Sequence, residues 1–143
     1  MITADLVVAE ALKLVDTPYS HQGRKPGIGI DCIGLPILVA KALDLGDFDE
    51  IDYGRSPNGT LKSKIEEVCQ PIVIQPGALL IFKISVEAQH CGIVSEHPLG
   101  GWGLIHAWDI ADKVVHQRLG DWRKKIVGCY GLPGVQYNFS VPK

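Results

Sequence analysis

Three side chains far apart along the chain have the types that thiol chemistry needs: Cys32 in "GIGIDCIGL", His90 in "QHCGIV" and His106 in "LIHAW". A thiol with a pKa near ~8.5 is mostly protonated at neutral pH and is a poor nucleophile. The start of a helix carries roughly half a positive charge and stabilises a thiolate there. A neighbouring imidazolium lowers the thiol pKa further and later returns its proton to a leaving amine. A third polar group must fix the tautomer and aim of that imidazole. Cys32, His90 and His106 suit these roles in that order. The same three side chains are also a conceivable zinc ligand set. Taken singly, a free cysteine or a strand histidine is more often packing.

The elements around these residues have to bring them together. "YSHQGRKPGIGI" is rich in glycine and proline and reads as a shaped loop. The run "GLPILVAKALDLG" is apolar nearly all round and reads as a buried helix. Pro36 lacks an amide hydrogen and is best tolerated in a first turn, so this helix is expected to begin close to Cys32. Gly46 is its expected stop. Before it, Thr3 is placed to cap a first helix, with Asp5 in its first turn. Val7 or Val8, Ala11, Leu12 and Val15 form its apolar stripe, and Pro18 closes it. Residues 47–59 are acidic and then turn-like. Thr60 is placed to cap a third helix with Leu61, Ile65 and Val68 on one face.

After Pro71 the pattern changes to short apolar or alternating runs, which read as an antiparallel meander. Helices first and strands second imply an α+β domain. A hairpin with its turn centred on Pro98 would set His90 directly opposite His106, with Cβ atoms roughly 4.5–5.5 Å apart. A one-residue slip would put one ring on the wrong face. Cys91 should point away from the face of His90. Cys69 and Cys129 read as packing, and His97 and His116 as exposed surface. Trp108 should share the face of His106.

Composition narrows the function classes. The 143 residues suit a single domain spanning 1–143, with 46% hydrophobic and 21% charged residues. A net charge of −2 gives no basic footprint for nucleic acid. The four cysteines contain no C-x-x-C pair and are expected to be reduced thiols. Asp5, Glu10 and Lys13 interrupt the apolar N-terminus, which therefore does not read as a signal peptide. No run approaches the roughly 20 apolar residues that span a bilayer. The expectation is cytoplasmic synthesis, with no membrane partner.

As a set, "TPYSHQGRKPGIGIDCIGL", "HCGIV" and "LIHAW" resemble the NlpC/P60 cysteine peptidases of bacterial cell walls. The closer likeness is to the phage-encoded branch, and "VVHQRLGDWRKKIVGCYGLPG" resembles that branch's final strands. The resemblance runs in order along nearly the whole chain. It implies a reduced papain-like α+β fold with N-terminal helices packed on a C-terminal antiparallel sheet. It implies Cys32 as nucleophile, His90 as base and His106 as the polar third member, with no cofactor and no metal. Tyr19 matches a site-lining tyrosine on the oxyanion side, and Asp31 an acidic neighbour that positions the turn. His21 and Gln22 fall where cellular members carry a tryptophan-glycine pattern, and Ile33 where a serine is common. The implied substrate is a peptidoglycan stem peptide, cut at a bond of the D-glutamate–diaminopimelate type. Phage tail proteins are the implied partners, and a virion tail or the cell wall the implied destination. A non-catalytic tail component of the same fold is the competing expectation.

Overall fold

The computed structural model describes residues 1–46, 60–84 and 88–139. The acidic and turn-like stretch at 47–59 lies outside the described residues. In chain order the elements are β1 (Ile2–Thr3), α1 (Ala4–Leu12), β2 (Arg24–Lys25), β3 (Gly29–Ile30), α2 (Gly34–Ala42) and α3 (Thr60–Val68). Then follow β4 (Gln70–Pro71), β5 (Leu79–Lys83), β6 (Ala88–Glu96), β7 (Trp102–Trp108), β8 (Lys113–Arg118), a 3₁₀ segment (Gly120–Lys125), β9 (Ile126–Gly131) and β10 (Val135–Gln136). This is the α+β arrangement expected from the order of periodicities. The main sheet has six antiparallel strands in the order β4-β9-β5-β6-β7-β8. A short parallel pair, β1 with β10, ties the two ends of the chain together.

The helices differ from expectation in detail. Thr3 stands at the N-cap of α1, but its side chain makes no capping bond. The buried stripe of this segment is Ala4, Val7, Ala11 and Leu14, whereas Leu12 is 41% exposed and α1 ends there, ahead of Pro18. In α3 the apolar face runs Leu61, Ile65 and Cys69, and Val68 is exposed. Helical spacing alone favours Val68, seven residues from Leu61, so it is the packing of Cys69 into the core that decides which side chain is buried. Helix α2 buries Gly34, Leu35, Pro36, Ile37, Val39 and Ala40, so it is covered nearly all round.

Both faces of the sheet are covered. Leu79, Ile81, Cys91, Ile93, Ile105, Ala107 and Val114 pack with the helices in one core. Leu80, Phe82, Val94, Leu104 and Leu119 form a second core, with Trp102, Trp122 and Cys129 against it. Strand β5 therefore reads as a continuous apolar run, because successive side chains enter different cores.

Candidate active site

The cysteine is positioned by its predecessor. Asp31 is buried, and its Oδ1 accepts from the Gly34 amide at 2.9 Å. The Asp31 carbonyl accepts from the Leu35 amide at 3.3 Å. Asp31 thus caps the first turn of the helix, which places Cys32 in that turn, next to the positive end of the dipole. The same carboxylate accepts from the Gln22 amide at 2.8 Å and from Arg24 at 3.0 Å. The glycine-rich loop and the helix start are thereby locked together. Gln22 enters through its backbone at a φ of 59°.

Tyr19 is half-buried against the same core as Cys32, and its amide donates to Asp112 O at 2.8 Å. A bridge between Tyr19 and Ile30 holds the chain beside the residue preceding Asp31. His21 lies half-buried on the loop ahead of β2. Ile33, in the first turn beside Cys32, packs against the helix-side core.

The histidines meet through a different register from the expected one. Ile93 pairs with Ile105 and Glu96 with Trp102, which centres the hairpin on Leu99 and not Pro98. Each partner therefore slides by two positions. Side-chain parity survives such a shift, so His90 and His106 remain on one face as diagonal neighbours, not directly opposed ones. Extending this register sets Gly92 across from His106. A Cβ at Gly92 would lie 2.9 Å from His106 Cβ and 2.7 Å from Leu104 Cδ1. The glycine leaves room for His106 to lean over it, and His90 Nε2 and His106 Nδ1 come to 2.7 Å.

Aromatic rings enclose the pair. The Trp122 ring centroid lies 5.2 Å from that of His90 and 5.0 Å from that of His106. Trp108 stacks on His106 at 5.8 Å, and Phe82 lies 5.8 Å from His90. His106 is fully buried, and its second nitrogen, Nε2, meets Gln117 Oε1 at 2.7 Å. Burial first, and then the charge at His90, push the His106 pKa down to about 4, against the hydrogen bond His106 donates to Gln117. With Nε2 of His90 committed to His106, Nδ1 is the ring nitrogen left for the thiol.

Cys32 is half-buried and forms no disulfide. Its pKa is lowered to about 5, most strongly by a hydrogen bond from Cys91, and then by a hydrogen bond and positive charge at His90. Burial and Asp31 act in the opposite direction. Cys91 points into the helix-side core, away from the face of His90, as strand alternation requires. It nevertheless reaches Cys32, where its one S–H is shared between the Cys32 sulfur and the Cys32 carbonyl oxygen, the latter 3.1 Å from Cys91 Sγ. Its own pKa rises well above the ordinary range, because it neighbours the Cys32 sulfur and is buried. Among the described residues no cluster of three or more His, Cys, Asp or Glu is arranged to hold a metal ion. Two of the nitrogens a zinc site would need, His90 Nε2 and His106 Nδ1, face each other.

Sequence reasoning missed three residues here. Gln117 follows an irregular turn whose length hides its partner. Trp122 sits on the 3₁₀ segment, where no periodicity marks its direction. Cys91 was placed on its face, but nothing in the sequence shows that α2 starts above it. His116 is not simple surface: it is half-buried and meets Ser95 Oγ at 2.7 Å. His97 is half-buried too, with its ring 5.4 Å from that of His116.

Solved structures share this architecture. The NlpC/p60 domain of the peptidoglycan hydrolase SagA superposes with a TM-score of 0.67 at 23% identity, over 92% of this chain and 100% of that one. The chain has the NlpC/P60 fold. NlpC1 from Trichomonas vaginalis gives a TM-score of 0.70 at 16% identity, over 90% of this chain and 44% of that one. An N-acetylmuramoyl-L-alanine amidase from Bacteroides uniformis gives 0.56 at 13% identity, over 89% and 96%. No protein-family model and no curated protein matches the chain. The papain-like NlpC/P60 frame, helices over an antiparallel sheet, is thus carried by shape where sequence identity is low.

Proposed function

We propose that the chain is a cysteine peptidase acting on peptidoglycan stem peptides, with Cys32 as nucleophile and His90 as acid and base. One observation carries the reading: a thiol with a depressed pKa, in the first turn of a helix, bonded to a histidine that a second histidine orients at 2.7 Å. The Cys32 thiolate attacks the scissile carbonyl carbon, and the carbonyl π electrons move onto oxygen. The Cys32 backbone amide, in the first helical turn, suits that developing oxyanion. Collapse expels the amine, which takes the proton from His90 Nδ1. Water then attacks the thioester, His90 takes the water proton, and the thiolate leaves with the carboxylic acid product.

The substrate class is supported by the fold shared with a peptidoglycan hydrolase and a muramoyl-alanine amidase. The proposed bond is of the D-glutamate–diaminopimelate type, and the proposed setting is a phage or prophage tail, or release to the wall after cytoplasmic synthesis. These follow the sequence resemblance. The test is mass spectrometry of defined stem peptides after incubation with the pure protein and with Cys32→Ala. Cleavage by the first and none by the second is expected. Cleavage persisting in Cys32→Ala would refute the role of Cys32. Intact peptides with both proteins would favour a non-catalytic tail component.

A further inference from the structure

Beyond the three groups that resemblance supplies, the polar chain from Cys32 continues through His90 and His106 to a fourth side chain. From its geometry we infer that Gln117 is the positioning residue of this relay, the neutral acceptor that fixes which nitrogen of His106 carries its hydrogen. The inference rests on the proposed thiol-hydrolase reading and adds to it a residue that touches neither substrate nor sulfur.

The placement comes from the sheet. Leu104 pairs with Gln117 across β7 and β8, so Gln117 shares the face of Leu104 and of His106, two residues further on. Gln117 Oε1 lies 2.7 Å from His106 Nε2. An amide oxygen only accepts, so Nε2 of His106 carries the hydrogen and Nδ1 presents a lone pair. His90 Nε2, 2.7 Å from that lone pair, must then be the donor.

The chemistry selects this arrangement over its reverse. When Cys32 is a thiolate and His90 an imidazolium, both nitrogens of His90 carry hydrogens. Nδ1–H faces sulfur and Nε2–H needs an acceptor. With the Gln117 amide turned over, its N–H would make His106 Nε2 the acceptor and move the hydrogen to Nδ1. Two N–H groups would then face each other at the 2.7 Å contact, repelling where they should bond. Only Oε1 toward His106 supports the charged pair.

The neutrality of the amide matters as well. Buried His106 resists protonation, and a neutral partner does little to oppose that. A carboxylate in place of the amide would keep the acceptor but draw a second proton onto His106, cancelling its lone pair at the acid end of the range.

The experiment compares wild type, Gln117→Leu and Gln117→Glu, together with nitrogen-15 NMR of the histidine rings. Leu removes the acceptor, and Glu retains it. For Gln117→Leu, kcat on a stem peptide should fall about 10- to 100-fold with KM within about twofold, short of the roughly 10⁴-fold cost of a wrong tautomer in a serine triad. Gln117→Glu should recover most of kcat and move the acid limb of the pH profile to higher pH. In wild type the His106 hydrogen should sit on Nε2, and that preference should be lost in Gln117→Leu. Wild-type kcat in Gln117→Leu, or an Nδ1 hydrogen on His106 in wild type, overturns the inference. If wild type cleaves no stem peptide, the NMR comparison still decides the role of Gln117, while the substrate reading alone falls.

Discussion

Acidification should destabilise this fold through His106 by an amount that can be worked out. The ring is fully buried, and its pKa is lowered from 6.5 to about 4 in the folded chain. The folded value lies below the unfolded one. Between them the unfolded chain takes up a proton that the folded chain refuses, so stability falls as pH falls. The neutral ring's contribution is fully present above about pH 6.5 and is gone below about pH 4. A difference of about 2.5 pH units at 1.36 kcal/mol each gives roughly 3 kcal/mol. Against typical domain stabilities of about 5–15 kcal/mol this is a large share. The assay is urea unfolding at a series of pH values for wild type and for His106→Gln. The variant keeps an amide able to meet both neighbours but has no group titrating there. Carboxylates contribute to acid unfolding in both proteins, so the difference between the two curves isolates His106. That difference should shrink by about 3 kcal/mol from pH 7 to pH 4. Parallel curves would refute the claim that burial holds this ring neutral.

Other perturbations separate the parts of the site. Cys91→Val removes the hydrogen bond that lowers the Cys32 pKa most, so the inflection in the pH dependence of iodoacetamide alkylation should rise from about 5; an unchanged inflection would contradict this. Asp31→Ala strips the cap from the Gly34 amide and removes the carboxylate that pairs with the largely buried Arg24; denaturant titration should show a loss of about 3–5 kcal/mol, and a loss below about 1 kcal/mol would show that the loop and helix start are held some other way. Gly92→Ala inserts a methyl 2.9 Å from His106 Cβ; about 1–3 kcal/mol of stability should be lost, and kcat should fall with it as the ring is displaced. An alanine variant as stable and as active as wild type would mean that the strand accommodates the methyl without moving His106.

What could be read before any coordinates follows from which constraints are local. Pro36 confines the helix start, so the neighbourhood of Cys32 was legible from one residue's missing amide hydrogen. Strand parity was legible for the same reason: alternation survives any even error in register. The register itself was not. Pro98 draws the eye as a turn centre, but Gly100 and Gly101 hold positive φ values of 96° and 76° and close the loop between His97 and Gly101. Gln117 was hidden one step further, because its pairing passes through a second irregular turn between Trp108 and Lys113. Leu12 and Val68 show the same lesson in helices: when two apolar neighbours compete for one face, tertiary contacts choose, and periodicity alone does not.

The two cores do more than hold the sheet. His90 and Cys91 are adjacent in β6 and diverge to opposite faces, yet both bond the Cys32 side chain. Cys91 belongs to the helix-side core, and its burial helps keep it an undissociated donor. His106 lies under Trp122 and Trp108 on the other face, and burial there keeps it an uncharged acceptor. Low dielectric acts against charge in both places, but the consequences are complementary. The neutral thiol has a hydrogen to give to the Cys32 thiolate, and the neutral imidazole has a lone pair for His90. In the proposed mechanism each core thus holds one uncharged partner of the Cys32–His90 couple. A mutation that admitted water to either core would leave the covalent parts in place. It would disturb that couple by letting a neutral partner ionise.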